Sequence, residues 1–496
     1  MKRIIAILML VAMTLSMVAC GGGKQSFDAA KNQAGGLTEP PAVNEQGQVV
    51  KGNFAVPSIG YDPNQKVTIT FMTTMNKDCL KLLNGAIERF NVLYPNITVV
   101  TEGDCGWDTI SDLIGKKING GNQPNVAYCY PDHVAQYRKS WVAVTLDELA
   151  KSTIEVTRAD GSTETLGFTQ EQLDDFIPTF YAEGTVYEDG YMYTLPFSKS
   201  TELLYYNKTY FDEKGYTVPT TWDEMIELCR KIKADDPTSI PLGYDSADNL
   251  FITMCEQHGC GYTSATGEEK FLFNNDGCKE FVKEIRQWFM EGLITTKDLY
   301  GAYTSALFKQ KDKSISHSYM CIGSSGGAKN QQPENGEFEV GVAPVPQINP
   351  DQPKVIMQGP SLCILKGGND TTDQHIVASW LFVKFLTTDA AFQAQFSMQQ
   401  GYTPVIKSAQ EHPNYAAWME KADGFKYLNA TAVKVALQQQ NSYFTSAVFV
   451  GSSVARTEVG NLLGKCMSES GSDIDAFIDQ AFEQTYKKCQ ETQMGK

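Results

Sequence analysis

Concentrated positive charge is what this chain most clearly lacks. Its 42 lysines and arginines face 58 aspartates and glutamates. The basic residues gather into no stripe, so nucleic acid is not an expected partner. Only five histidines occur, and with the cysteines they form no four-ligand zinc spacing; there is no C-x-x-C either. A complete phosphate loop is also missing. Gly460-Asn-Leu-Leu-Gly464-Lys465-Cys466 is one residue short and has no Ser or Thr after its lysine. No cofactor or metal is therefore expected. There is no internal repeat, and beyond the N-terminus no stretch of about 18 apolar residues, so no further membrane span is expected.

What is present begins at the N-terminus. Lys2 and Arg3 precede a short, largely apolar run over residues 4–19, followed by Cys20. The run is short for a span, which needs roughly 20 apolar residues, and has the make-up of a secretory signal peptide. Met17-Val18-Ala19-Cys20 resembles a bacterial lipobox, with Met17 in place of the usual leucine. That resemblance implies cleavage after residue 19 and lipidation of Cys20. Two or three acyl chains hold a protein firmly to a membrane, whereas one does so marginally. Removing Lys2 and Arg3 leaves 40 basic against 58 acidic residues, a balance of −18. From 20 to 65 the chain is rich in Gly, Gln, Asn and Pro and reads as a flexible tether. Of the 12 cysteines, 11 follow Cys20, an odd number that cannot all pair within one molecule. Their spacing is irregular, Cys255 and Cys260 being the closest. They read as buried thiols, with one or two disulfides allowed by the exported address.

From Lys66 the pattern becomes globular. KVTITFM alternates as a strand, with Val67, Ile69 and Phe71 on one face. The next segment places Leu80, Leu83, Ile87 and Phe90 at helical spacing, and Pro95 ends it. NITVVT, DTISDLIGKKI and NVAYCY then read as strand, helix and strand, which implies a parallel sheet with right-handed crossovers. Thr221-Trp222-Asp223-Glu224 is a capping box opening a helix lined by Met225, Leu228, Cys229 and Ile232. KSISHSYMCI, FEVGVAPVP and VIMQGPSLCIL read as three more strands. HIVASWLFVKFLTTDAAFQAQF reads as a buried helix pair, and the residues from Ile474 as a final helix. The fold class is α/β.

Hydrolytic chemistry has one candidate. Gly323-Ser324-Ser325-Gly326-Gly327 fits the nucleophile-elbow pattern after a strand, yet the AKNQQPENGEFEV that follows lacks helical periodicity. Nothing in the sequence places His375 or His412 beside Ser325. An exported serine hydrolase using Ser325 is thus the alternative from another function class, and an enzyme is not the expectation.

LPFSKSTELLYYNKTYFDEKG, from Leu195, carries more hydroxyls than a packed strand needs. The longer run TVYEDGYMYTLPFSKSTELLYYNKTYFDEKGYTVPTTWDEMIELCRKI closely resembles extracellular solute-binding proteins of ABC importers, the maltose and glycerol-3-phosphate binding group. FNVLYPNITVV, QPNVAYCYPD, FEVGVAPVP, GPSLCIL and GYTPVIKSAQ extend the likeness over most of residues 66–490. The resemblance implies a two-lobed periplasmic-binding-protein clamshell, type II-like, with discontinuous lobes. The implied division is 66–203 and 314–365 for the N-terminal lobe, 204–313 and 366–496 for the C-terminal lobe. Crossings are expected near Leu203 to Asn207, near 313 and near 366. It further implies a monomer that captures a small ligand in the interlobe cleft and presents it to the transmembrane subunits of an ABC permease. A surface lipoprotein that kept the fold without transport is a third reading.

By motif position the implied ligand-binding residues are Thr74, Asn76, Trp107, Asp108, Tyr130, Asp132, Ser200, Asp248, Phe251, Ser324, Ser325, Gln358, Gly359 and Tyr402. Tyrosine and tryptophan offer a flat apolar face with a polar tip, which suits a ligand made largely of hydroxyls. Tyr205 and Tyr206 are expected to pack. Glycerol-phosphate binders of this family carry tryptophans where Asp248 and Phe251 stand here, and an arginine where Phe449 stands. Arg456 reads as a helix-surface residue. A buried phosphate without a bidentate cation is poorly compensated, so a carbohydrate or polyol is expected over glycerol phosphate.

Overall fold

The computed structural model describes residue 39 and residues 41–368, 371–422 and 427–493. The expected signal peptide and Cys20 lie outside the described residues. The chain begins with β1 (Val67–Met72), α1 (Lys77–Leu93), β2 (Ile97–Glu102), α2 (Trp107–Gly120), β3 (Val126–Cys129), α3 (Pro131–Tyr137) and β4 (Thr194–Pro196). It continues through β5 (Ser200–Asn207), α4 (Trp222–Asp235), β6 (Leu242–Tyr244), α5 (Ala247–His258), α6 (Asp276–Met290), β7 (Ile294–Thr296), β8 (Met320–Ser324), β9 (Val340–Ala343) and β10 (Val355–Gln358). Then come β11 (Ser361–Ile364), α7 (Asp373–Thr388), α8 (Ala390–Gln400), α9 (Leu428–Gln438), β12 (Tyr443–Phe444), α10 (Ser452–Ser468) and α11 (Ile474–Gln493).

Two large sheets result, one per lobe, beside a small two-stranded pairing of Glu155–Thr157 with Thr163–Thr165. The first has the order β2-β1-β3-β11-β4 and the second β12-β10-β5-β8-β6-β7, with β9 also on β5. β1 pairs in parallel with both β2 and β3, as the strand-helix-strand pattern predicts. Asn76 caps α1, its side chain accepting from the Cys79 amide at 3.0 Å, and the helix buries Leu83, Ile87 and Phe90. The Thr221–Glu224 capping box is present, and Met225, Leu228, Cys229 and Ile232 are all buried. Asp389 splits the buried helix pair, capping α8.

The lobe boundaries differ from those expected. β8, β9 and β10 belong to the second sheet, so residues 314–358 are not part of the N-terminal lobe. Conversely α7 and α8 pack in the first core, around Trp380, Phe382 and Phe396. The chain re-enters the second side with α9, against Leu203 and Tyr205, and ends there with α10 and α11. VIMQGPSLCIL, expected as one strand, is two strands in two sheets, broken at Gly359-Pro360. The first crossing is likewise Phe197–Lys199, upstream of Leu203, and no crossing occurs near 313.

The two crossings are bonded to each other. The amides of Phe197 and Ser198 both donate to the Pro360 carbonyl, at 3.0 and 3.2 Å. Gly359 has φ +103°, and a Cβ there would stand 2.4 Å from the Ser198 carbonyl oxygen. Only glycine suits both conditions. Lys199, fully buried, forms an ion pair with Glu183. Ser361 Oγ donates to the same carboxylate at 3.1 Å. Lys199 also exchanges backbone hydrogen bonds with Thr403, at 3.0 and 2.6 Å, which ties a third segment to the crossing.

The expected tether ends earlier than residue 65. Residues 41–65 lie on the first lobe, beginning with a turn closed by Val43 and Val49. The Asn53 side chain accepts from the Thr145 amide at 2.9 Å and donates to the Ala143 carbonyl at 2.8 Å; Phe54 and Tyr61 are buried. The polar composition was misleading because two aromatics and one amide provide the anchoring.

Candidate ligand-binding cleft

Strand ends and the helix starts that follow them place most of the candidate side chains between the lobes. Trp107 is the first residue of α2, and its ring stacks on Tyr128 with centroids 5.3 Å apart and lies 4.7 Å from that of Tyr130. Tyr130 caps α3 immediately after β3. Burial raises the Tyr130 hydroxyl pKa, helped by nearby Tyr402 and opposed by Arg456. Burial raises that of Tyr402 as well, with a hydrogen bond from Trp107 opposing it. These tyrosines therefore stay neutral donors throughout the physiological range. Trp107, Tyr130 and Tyr402 thus form one aromatic surface on the first lobe.

Charged groups face it from the second lobe. Arg456, in the first turns of α10, reaches Asp248 at 3.1 Å and donates to the side-chain Oδ1 of Asn249 at 2.6 Å, both at the start of α5. It also lies 3.6 Å from Asp132 of α3, across the cleft. Burial acts to lower the Arg456 pKa, but the carboxylates of Asp248 and Asp132 outweigh it and hold the guanidinium charged. Behind it, Asn249 Nδ2 donates to Glu202 at 3.0 Å, and Tyr244 donates to the same carboxyl. Glu202 is buried on β5, and burial pushes its pKa up to about 7 against those two hydrogen bonds. A second cross-lobe pair joins Asp108 to Lys297 at 2.7 Å, with Lys297 over the Tyr303 ring at 4.4 Å.

The remaining expected residues fall into four groups. Ser200, Gln358 and Gly359 build the crossing; β5 and β10 pair Ser200 with Gln358. Ser324 and Ser325 form the turn after β8, and a Cβ at Gly326 beside them would meet the Tyr402 ring at 2.2 Å. Thr74 is half-buried after β1, while Asn76 is spent on its cap and on Gln400 at 3.3 Å. Phe251 is a correction. It is fully buried in the second core among Tyr262, Phe273, Phe281 and Phe482, one helical turn beyond Asp248 and outside the cleft.

Arg456, Asn249, Lys297 and Glu202 were missed by the sequence reading. The Arg456 signal is faint: one arginine among the small and apolar residues of GSSVARTEVG. Its helix was expected to present it to solvent, but the partner carboxylates come from segments more than 200 residues away. Phe449, the position matched to an arginine, is buried against Phe271. Two surface hollows, one lined by Lys283, Arg286 and Ile474 and the other by Glu155, Arg158 and Lys384, each lie within a single lobe.

Such a cleft holds aromatic faces, carboxylates and a guanidinium, and the sequence from 85 to 422 matches the model of the bacterial extracellular solute-binding proteins. The chain belongs to that family. It is 22% identical over 394 residues to the sn-glycerol-3-phosphate-binding periplasmic protein UgpB of Escherichia coli K12, covering 77% of this chain and 84% of that one. To the protein of the same description from Pectobacterium atrosepticum it is 24% identical over 384 residues, covering 75% and 80%. Its fold resembles UgpB of Mycobacterium tuberculosis in complex with glycerophosphocholine, with a TM-score of 0.66, 19% identity and 86% and 98% coverage. It also resembles the GacH receptor of Streptomyces glaucescens, solved unliganded and with acarbose, with a TM-score of 0.65, 17% identity and 86% and 99% coverage.

The geometry does not assemble the Ser325 hydrolase alternative. Ser325 is buried in a short 3-10 turn where its Oγ accepts from the Thr201 amide at 3.4 Å. The two histidines considered as its triad partners are capping residues: His375 closes the box that starts α7, and His412 caps the helix Pro413–Met419. The glycine-lysine run 460–466 lies inside α10 and has no loop to cradle a phosphate. Among the described residues, no helix is long and apolar enough to cross a membrane.

Proposed function

We propose that this extracellular solute-binding protein captures a neutral, hydroxyl-rich ligand, a carbohydrate or polyol, between its lobes and delivers it to an ABC permease. The observation that carries the reading is Arg456, which shares the cleft with an aromatic surface but is already matched by Asp132 and Asp248. A cation compensated twice has little to gain from a phosphate, whereas the carboxylates retain lone pairs for ligand hydroxyls. Trp107, Tyr130 and Tyr402 supply faces for sugar rings. Closure around the ligand excludes water and strengthens each of these contacts. In this reading Asp108 and Ser324 contact the ligand, while the buried Ser325, with Ser200, Gln358 and Gly359, supports the site from behind. In this reading the mature chain is a monomer held to the membrane by lipid on Cys20.

A second reading rests on the same arginine. If a ligand phosphate displaces Asp132 from Arg456, the site takes a glycerol-phosphate-type ligand, such as the curated relatives are named for. A thermal-shift screen of residues 21–496 separates the two. A ligand at about 100 times its Kd adds roughly 2.7 kcal/mol of stability, a clear rise in Tm. A saturable shift with one sugar or polyol class is the expected result. A shift confined to glycerol phosphate or its diesters overturns the neutral-ligand reading and establishes the second.

A further inference from the structure

A second constellation lies in the second lobe, at the end of α5 away from Asp248. Three cysteine sulfurs converge there. Cys278 Sγ stands 3.4 Å from Cys255 Sγ and 3.2 Å from Cys260 Sγ. All three lie within 4.8 Å of one another. Cys255 is on the last turn of α5, Cys260 follows the left-handed Gly259 that ends it, and Cys278 is in the first turn of α6. Three elements of local sequence create this convergence. Gly259 reverses the chain, the Cys260 amide donates back to the Cys255 carbonyl at 3.1 Å, and Asn275 caps α6.

The surroundings suit thiolates. Asn275 Nδ2 donates to Cys278 Sγ at 3.3 Å while also holding the carbonyls of Cys260 and Leu272, at 2.6 and 2.8 Å. The first turn of α6 adds the positive end of its dipole near Cys278. Cys255 and Cys278 are buried and Cys260 is half-exposed, which leaves a path for an ion from solvent. No fourth His, Cys, Asp or Glu joins the group among the described residues.

We infer that Cys255, Cys260 and Cys278 form a three-sulfur site for a thiophilic metal ion of the copper(I) or zinc class. Metal–sulfur bonds of about 2.3 Å place three ligands roughly 4 Å apart. The side chains reach that arrangement from the observed separations with small rotations. Soft thiolates select these ions over magnesium or calcium. Copper(I) is satisfied by three sulfurs, whereas zinc takes a water as its fourth ligand on the half-exposed side. Binding releases the thiol protons to solvent, so affinity falls as pH falls. A disulfide is the competing fate in an exported protein, but it uses two of the three sulfurs and strands the third, whereas the metal uses all three. The site would clamp α5 to α6 and so stiffen the element that presents Asp248 and Asn249 to the cleft.

The test is a titration of the intact chain, reduced and kept free of oxygen, with zinc and separately with copper(I), read by bound metal and by Tm. One equivalent that raises Tm is expected, lost in Cys260→Ser and in Cys278→Ser but kept in Cys105→Ser, whose cysteine sits in the other lobe. The tighter of the two metals names the ion. Melting of each variant without metal shows that it folds, and Cys260→Ser, at a half-exposed position, is the one expected to melt like the parent. Metal uptake unchanged in both site variants overturns the proposal. So does a disulfide between two of the three in chain trapped directly from cells, if the reduced chain takes up no metal.

Discussion

Glu202 combines three unfavourable conditions for a carboxylate: burial, and the negative neighbours Asp248 and Asp245. Its folded pKa of about 7 exceeds the unfolded value of about 4.3. Between those values the native state binds more protons, so its contribution to stability is complete below about pH 4 and declines as pH rises through 7. The span corresponds to roughly 4 kcal/mol at most. Glu202→Gln keeps the shape and removes the titration. The wild-type Tm should therefore fall relative to that of the variant between pH 5 and 8. Parallel curves would show that Glu202 ionises freely. Trp107 gives a second test at this scale. Its ring is the largest flat surface in the cleft, and Trp107→Ala should weaken ligand binding about 30-fold, roughly 2 kcal/mol, by calorimetry. Phe251→Leu, in the core, should leave affinity unchanged while lowering Tm.

The crossing segments determine how one lobe can turn on the other. Gly359 sits where the chain leaves the second sheet, with φ +103° and no room for a Cβ. Gly359→Ala should cost roughly 1–3 kcal/mol, seen as a lower urea midpoint, because the strain is placed on three bonded strands at once. A variant as stable as the parent would mean the crossing relaxes freely. This element also shows what sequence can convey. Periodicity reports which residues are buried and with what repeat, so the main helices and the parallel β1–β3 unit were legible, as was the Thr221–Glu224 capping box. It does not report which core receives a strand. VIMQ and SLCI are both apolar and adjacent, and only the Gly-Pro between them marks a change of sheet. For the same reason Asp248 and Phe251 looked alike as candidates, although three residues along a helix separate a cleft carboxylate from a core ring. Arg456 was illegible because its role is set by Asp132 and Asp248, whose proximity is a tertiary fact.

At the scale of the whole molecule, four ion pairs link the lobes. Asp108–Lys297 at 2.7 Å, Asp132–Arg456 at 3.6 Å, Lys270–Glu188 at 3.5 Å and Asp78–Lys329 at 3.7 Å all join one lobe to the other. Exposed pairs such as Asp78–Lys329 contribute about 0–1 kcal/mol each and are screened within about 10 Å at 0.1 M salt, the half-buried ones less so. Together they bias the closed form by an amount that salt can cancel. The radius of gyration of the unliganded chain, from small-angle X-ray scattering, should therefore increase as sodium chloride is raised towards 1 M. Asp108→Asn combined with Asp132→Asn should produce the expanded form already at low salt. Ligand should restore the compact form in both cases, because it adds contacts to both lobes that salt does not screen. The double variant then pays for closure out of its binding energy and also loses two carboxylate contacts to the ligand, so its apparent Kd should rise by at least the inverse of its closed fraction. A radius that ignores both salt and substitution would mean that the crossing segments alone, with the buried Lys199–Glu183 pair, set the angle between the lobes. In that case the cross-lobe charges serve the ligand and not the closure.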